Sequence, residues 1–168
     1  MDDILINLSR AVDYRKIEVQ VRKIDFDTIK SEIETKELPD VPGVKINWKI
    51  IEKAPFHSDP KLVKVILNKT ISNAMNYRQG SKNDYCNVVI TTDSHGAVVA
   101  IEDNGVGISN KVKTSIFEMF VKGTNKSKGA GLGLYLVKIA LDKLKGKVTV
   151  ESEVNKGSKL IFQLPNLV

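Results

Sequence analysis

The chain has 168 residues, 42% hydrophobic and 27% charged, which is ordinary for one well-buried domain. The net charge of +6 favours an anionic partner, but the positive residues are scattered and only 6% of the chain is aromatic, so a surface that stacks on nucleic-acid bases is not indicated. No apolar run approaches the roughly 18 residues of a membrane span, and a single cysteine excludes an internal disulfide.

The first part of the chain has the patterns of two helices and two strands. Residues 3–13 carry apolar side chains at helical spacing, and we expect them to be the end of a helix that begins upstream. Alternation of apolar and polar residues predicts strands at 17–21 and 44–50. Asp25 is a suitable N-cap for a short helix that runs to about Thr35.

The second part begins with a longer helix, for which Asp59 is the N-cap and Pro60 the first-turn residue, and which runs to about Arg78. The elements predicted after it are strands near 86–92 and 97–103, a helical patch at 109–118, a Gly- and Lys-rich segment at 119–130, a buried helix at 132–144 capped by Gly146, and strands near 147–153 and 158–164. Helices interleave with antiparallel hairpins. We therefore predict an α/β (α+β) two-layer sandwich, a mixed, largely antiparallel sheet covered on one face by helices. Cys86 is expected to be a small core residue in a reducing compartment.

One face of the helix that follows Asp59 is rich in amides. At about 100° per residue, Lys69, Asn73, Asn76 and Tyr77 fall within roughly 60° of one another, and apolar residues occupy the opposite side. An Asn carboxamide is a suitable neutral ligand for a magnesium ion that already has phosphate oxygens. The alternative is an ordinary solvated helix face.

The segment from Asp103 to Gly107 places a carboxylate at the end of an alternating strand, followed by glycines. A buried carboxylate needs a donor, which the exocyclic amine of adenine would supply, and glycines let the backbone approach a ring closely. Asp-Asn-Gly is also common in simple turns, which is the alternative reading.

The segment from Gly129 to Leu134 opens the apolar helix with three glycines. Glycines at a helix start free its amides for phosphate, which the helix dipole favours. No Gly-Lys-Ser/Thr follows, as a Walker A loop requires, and no βαβ unit surrounds the segment. Tight helix packing would explain the glycines equally well.

Together, in the order amide-rich helix, Asp103–Gly107 turn, Ile116–Phe120 box and Gly129–Leu134 turn, these features resemble the ATP-binding catalytic domain of sensor histidine kinases. That domain belongs to the Bergerat-type (GHKL) ATPases, which include gyrase, the Hsp90 chaperones and MutL. The resemblance spans roughly residues 17–164. Residues 1–15 resemble the end of a dimerisation and histidine-phosphotransfer helix, which leaves 16–168 as the catalytic domain.

The resemblance implies roles for individual residues. At the base, Asp103 would accept a hydrogen bond from the adenine amine. At the phosphates, Asn73 would coordinate the bridging magnesium ion, and the cover-segment lysine Lys122 would act as the catalytic residue that faces the terminal phosphate. Phe117 would help to anchor the cover segment, with Lys126 and Lys128 as further phosphate neighbours. The other residues that it implies at the nucleotide are Asn76, Tyr77, Gly105, Gly107, Ile108, Phe120, Gly129, Gly131, Leu132, Gly133 and Leu134.

Two departures from the family pattern matter. Four residues before Asn73 the family usually has another Asn or an acid, and this chain has Lys69, which could pair with a phosphate or weaken the metal site. Asn68 cannot replace it, because helical geometry puts it about 140° away from Asn73. The acceptor histidine of the family lies on a helix and is usually followed by an acidic residue. Neither His57 nor His95 has that setting.

The resemblance therefore implies the ATP-binding domain of a two-component sensor histidine kinase, which supplies the γ-phosphoryl group of Mg-ATP to a histidine on a domain outside this chain. It implies ATP and Mg²⁺ as ligands, and as partners the histidine-phosphotransfer domain of the same homodimeric protein and a response-regulator receiver domain. Nucleic acid is not expected as a partner. A cytoplasmic location is expected, with membrane contact only through regions outside this chain. This chain alone is not expected to autophosphorylate.

Two rival functions remain open from the sequence. An anti-sigma-type serine kinase shares the fold and works as a stand-alone domain, although it would not need a helix at residues 1–15. A degenerate ATP-binding module, which uses ATP only to control partner docking, is kept open by Lys69.

Overall fold

The computed structural model describes residues 2–38, 43–122 and 131–168, over which helices and strands alternate. The elements are α1 (Asp2–Lys16), β1 (Arg22–Lys23), α2 (Phe26–Glu32, continued by a π-helical turn at Ile33–Glu37), β2 (Lys45–Glu52), β3 (His57–Ser58), α3 (Pro60–Asn76), β4 (Tyr85–Thr92), β5 (Gly96–Asp103), α4 (Asn110–Lys113), α5 (Gly133–Lys143), β6 (Lys147–Glu153) and β7 (Gly157–Pro165). Most predicted elements are therefore confirmed to within a few residues.

Five strands form one mixed sheet in the order β2-β4-β5-β7-β6, with β2 parallel to β4 and every other pair antiparallel. Strand periodicity sends alternate residues to opposite faces. On β4, the side chains of Cys86, Val88 and Ile90 are buried, whereas Val89 between them is 36% exposed. On β5, Val98 is 44% exposed. The predicted mixed sheet with helices on one face is confirmed, and so is the core position of Cys86.

Helices α3 and α5 pack together over the buried face of the sheet. Helix α3 contacts β4 and β5, and Phe162 of β7 is fully buried in the same core. Helix α3 begins as predicted, because the buried carboxylate of Asp59 accepts hydrogen bonds from the amides of Lys61 (2.9 Å) and Leu62 (3.2 Å). A firm helix start fixes which side of α3 faces the sheet and which side is left for the site.

The prediction of a strand at 17–21 is wrong. In this part of the chain, strand pairing among the described residues is limited to Arg22–Lys23, which pairs with His57–Ser58. The preceding backbone is held by side chains instead, since the Lys143 Nζ donates to the carbonyl of Ile17 (2.9 Å) and Asp59 accepts from the amide of Gln20 (2.8 Å). The segment lies along the surface, where Ile17 and Val19 are half-buried and the remaining side chains, including Val21, are exposed.

The end of α5 also differs from the prediction. The residue in the left-handed conformation is Lys145, with φ 57°, and Gly146 follows it, donating from its amide to the carbonyl of Leu141 (2.9 Å). This is a Schellman-type ending. Gly146 is required for space, because a Cβ there would lie 2.5 Å from the Cδ1 atom of Leu141.

Helix α1 packs along α5. Ala11 is buried there, and the Arg15 guanidinium donates to the Tyr135 hydroxyl while lying 5.6 Å from the centre of its ring. On the side away from α5, Leu5 and Val12 are exposed. None of the helices in the described part combines the length and apolarity needed to cross a membrane.

Replacing Phe162 by alanine should remove the largest core contact of β7. We expect a loss of about 3–5 kcal/mol in the free energy of unfolding, measured by urea titration followed by circular dichroism, because the cavity cannot be refilled from two packed layers. The matched control is Val98→Ala on the open face of the sheet, which should cost less than about 1 kcal/mol. Equal losses in the two variants would contradict the layer assignment.

Candidate nucleotide-binding site

A cavity of about 200 Å³ lies between α3, the start of α5 and the end of β5. Ten residues singled out in the sequence line it: Asn73, Asn76, Tyr77, Asp103, Gly107, Ile108, Gly131, Leu132, Gly133 and Leu134. Its lining also includes six that were not predicted as ligand residues: Asn7, Lys69, Ser72, Ile116, Val121 and Ser158. Residues more than a hundred positions apart thus form one concave surface.

The α3 wall is polar because the apolar residues of that helix face the sheet. Asn73 and Asn76 line the cavity, and neither carboxamide hydrogen-bonds to another described residue through its side chain. Tyr77 ends the helix, and its carbonyl accepts from the amide of Val106 (2.9 Å). The wall therefore offers free amide groups to a ligand, and its end is tied to the turn that follows β5.

At the end of β5, the carboxylate of Asp103 is half-buried. Its Oδ1 accepts from the amide of Gly105 at 2.8 Å. Burial raises the pKa of Asp103 to about 6, against the lowering effect of the backbone amides of Gly105 and Ser158, and the nearby Glu102 charge raises it further. A carboxylate held in this way gains from a neutral donor supplied by a ligand.

The turn after Asp103 is held by two side chains that sequence reasoning missed. The Gln79 Nε2 donates to the carbonyls of Asn104 and Gly105, both at 3.0 Å, and the Ser152 Oγ accepts from the amide of Ile108 at 2.7 Å. The pairs are 25, 26 and 44 residues apart. No local pattern reports contacts at such separations, so only the folded chain could show them.

Two glycines of the site have φ values that other residues rarely adopt. Gly107, at φ 73°, lies against Glu153 so closely that a Cβ would overlap its carbonyl oxygen. Gly131, at φ 75°, lies against Phe120, whose carbonyl carbon would be 2.7 Å from a Cβ. Gly105 is not part of the cavity lining, but it is buried against the carbonyl of Tyr77, 2.5 Å from where a Cβ would be.

The two ends of the segment that the sequence predicts as a cover meet beside the cavity. The amide of Phe120 donates to the carbonyl of Gly131 at 2.9 Å. Ile116 is buried and lines the cavity, and the partly buried Phe117 packs against the core, so the first half of the Phe box is held by the core.

Two of the predicted ligand residues are exposed instead of lining the cavity. Phe120 is 53% exposed and Lys122 is exposed, and both lie outside the described cavity lining. Gly129 lies outside the described residues, as do Lys126 and Lys128. Their roles toward phosphate remain predictions.

The opposite end of the cavity is electropositive. Helix α5 starts at Gly133 without a side-chain cap from the described residues, so the amides of its first turn and the positive end of its dipole remain available. Lys69 lies one turn before Asn73 on α3. Within the described part of the chain there is no cluster of three or more His, Cys, Asp or Glu side chains that could hold a metal. A metal ion here would depend on Asn73 and on oxygens from its ligand.

Fold and site define a class of protein. Residues 58–167 match the family described as histidine kinase-, DNA gyrase B- and HSP90-like ATPase, and the chain belongs to that family. Its relatives are sensor histidine kinases, so the domain is of the histidine-kinase ATP-binding type.

Particular relatives agree with this class. The sensor protein kinase GraS of Staphylococcus aureus (strain MRSA252) is 31% identical over 153 residues, which are 88% of this chain and 42% of GraS. The sensor protein RprX of Bacteroides fragilis (strain YCH46) is 28% identical over 179 residues, covering 91% of this chain and 34% of RprX. This chain thus spans less than half the length of either relative. The crystal structure of full-length ShkA in complex with AMPPNP superposes with a TM-score of 0.76 at 22% identity, covering 97% of this chain and 36% of ShkA, which supports the fold.

If Asp103 accepts a hydrogen bond from the adenine amine, as the sequence predicts, adenosine binding should weaken as pH falls, because a protonated carboxyl is a poorer acceptor. At about pH 5, roughly one unit below the Asp103 pKa of about 6, about nine-tenths of the free carboxyl is neutral. Calorimetric titration with adenosine should then give a Kd about tenfold weaker than at about pH 7.5. In Asp103→Asn this pH dependence should vanish. A profile that is the same in both proteins would contradict the adenine assignment.

Two glycines at the start of α5 should respond oppositely to alanine. Gly133 has open space where a Cβ would be, so Gly133→Ala should keep or raise stability, by up to about 1 kcal/mol, while the new methyl group obstructs phosphates and weakens ATP binding but not adenosine binding. Gly131→Ala should lose about 1–3 kcal/mol of stability because of its positive φ. Thermal unfolding and calorimetry separate the two effects, and a stability loss in Gly133→Ala would refute this geometry.

Proposed function

We propose that this chain binds Mg-ATP in the cavity between α3 and α5 and presents the γ-phosphoryl group to a histidine on a phosphotransfer domain. One observation carries the proposal: the cavity has the half-buried carboxylate of Asp103 at one end and, at the other, a helix N-terminus that no described side chain caps. That polarity matches a nucleotide, whose base donates a hydrogen bond and whose phosphates are anionic.

At the base end, Asp103 would accept from the exocyclic amine of adenine. The apolar side chains of Ile108 and Leu132 line the same cavity and would contact the ring. Gly107 contributes no side chain, so the ring can approach the backbone. Asn76 and Tyr77 would line the nucleotide from the α3 side.

At the phosphate end, the first amides of α5, beginning at Gly133, would donate to phosphate oxygens. Magnesium, when bound, would neutralise part of the phosphate charge, held by the carboxamide of Asn73 together with phosphate oxygens and water. Lys122 is our candidate for the terminal phosphate. It is exposed beside the cavity and would have to turn inward as the nucleotide binds.

The chemistry asks for positioning and charge stabilisation, because phosphoryl transfer needs little covalent help from the protein. The nucleophile would be a histidine of the phosphotransfer domain. We propose that residues 1–15, of which 2–15 lie in α1, belong to a helix of that domain. The exposed apolar side chains of Ile4, Leu5 and Val12 support this proposal, since partner helices of a bundle would cover them. A homodimer and a response-regulator receiver domain complete the proposed set of partners.

The transfer can be tested by incubating the chain with ATP labelled at the γ-phosphate and a phosphotransfer domain from a related sensor kinase, supplied separately. We expect acid-labile label on that domain, as phosphohistidine gives, and little label with Asp103→Asn. The matched control is Glu102→Gln, a half-buried neighbour outside the cavity lining, which should retain transfer.

Other outcomes would select the rival functions. Acid-stable label on serine of a partner protein would favour the anti-sigma type of kinase. ATP binding with no transfer to any domain would favour a regulatory module that only senses nucleotide.

A further inference from the structure

Lys69 lies on the α3 wall of the cavity, one helical turn before Asn73. Residues four apart on a helix are neighbours on one face, so the two side chains are presented to the same space. Tyr77, one further turn along, contacts the turn that follows Asp103. Lys69 is therefore at the end of the wall that is farthest from the base-binding carboxylate.

The ammonium group of Lys69 is half-buried and has no carboxylate within 4.0 Å among the described side chains. Burial lowers its pKa, and the positive charge of Arg10 on α1 lowers it further, against a raising effect of Glu37. Glu37 is engaged elsewhere, since it accepts from the Asn68 Nδ2 at 2.9 Å and pairs with Lys64 at 3.5 Å.

The contrast with Lys64 on the same helix shows what a structural lysine does here. Lys64 lies outside the cavity lining and is held between two carboxylates, with Glu32 at 3.1 Å and Glu37 at 3.5 Å. Lys69 instead lines the cavity, and the positive charge of Arg10 acts on it without a direct carboxylate partner among the described side chains. Repulsion between these cations, together with the positive end of α5, raises the free energy of the empty site, and a bound anion would lower it.

We propose that Lys69 binds the phosphates of the nucleotide directly and supplies part of the charge neutralisation that a metal ion would otherwise supply, with Arg10 as a secondary contributor. This inference rests on the proposed function, because it requires the base to occupy the Asp103 end. The position that would offer a second oxygen ligand to a metal offers an ammonium group instead. ATP binding should therefore depend less on Mg²⁺ than it would with an oxygen ligand at this position.

The test is calorimetric titration of the whole chain with adenosine, ADP and ATP, each with EDTA and with excess Mg²⁺. Lys69→Met should weaken ATP binding in EDTA by about tenfold or more, the size of one lost hydrogen bond to a charged group, and leave adenosine binding unchanged. Lys69→Arg should restore most of the affinity. The matched control is Lys61→Met, which removes the same charge from an exposed position on the first turn of α3 and should change nothing.

Several results would overturn the inference. Unchanged ATP affinity in Lys69→Met would do so, as would equal weakening of ATP and adenosine or an equal loss in Lys61→Met. Removing a half-buried, unpaired charge should leave the melting temperature equal or higher, so a lower one would indicate a structural role. If the unchanged chain binds neither adenosine nor ATP, the proposed function itself fails. If it binds both and Lys69→Met has no effect, only this inference fails.

Discussion

The half-buried carboxylate of Asp103 is the constraint on which the rest of the site depends. A carboxylate that loses part of its contact with water is costly unless donors surround it, and here one donor is a backbone amide only two residues away. That short link forces a tight turn at the end of β5. The turn is then tied to α3 through the carbonyl of Tyr77 and the side chain of Gln79. Sheet, helix and turn are thus positioned relative to one another by the need to satisfy one charged group.

The electrostatic character of the cavity changes from one end to the other. One end has the carboxylate of Asp103 beside apolar side chains such as Ile108. The opposite end has the start of α5, which no described side chain caps, and the ammonium group of Lys69. Both features arise from simple packing. The start of α5 is directed into the cavity because the buried apolar residues of this helix pack in the core beside α3, and Lys69 lies there because the residues around it on α3 are buried in the same core. This polarity is the reason that the proposed function orients the nucleotide with its base at Asp103 and its phosphates at α5.

The first helix is physically part of this site. Asn7 lines the cavity, the charge of Arg10 acts on Lys69, and Arg15 contacts the Tyr135 ring of α5. A movement of α1 along α5 would therefore change the shape and the potential of the phosphate end. Its remaining apolar surface is exposed. The arrangement joins a surface suited to helical partners to the site that would hold the nucleotide.

The sequence by itself determined what depends on neighbours along the chain. Apolar periodicity predicted α3, α5 and the hairpins, and the ordered motifs predicted ten of the cavity-lining residues, Asp103 and Asn73 among them. Only the tertiary structure decided what depends on distant residues. The segment at 17–21 has the alternation of a strand but no pairing partner there, and Gln79 and Ser152 acquire their roles only when remote carbonyls and amides reach them. The charges that act on Lys69 were likewise decided by the tertiary structure, because the packing of α1 brings the Arg10 charge into its range.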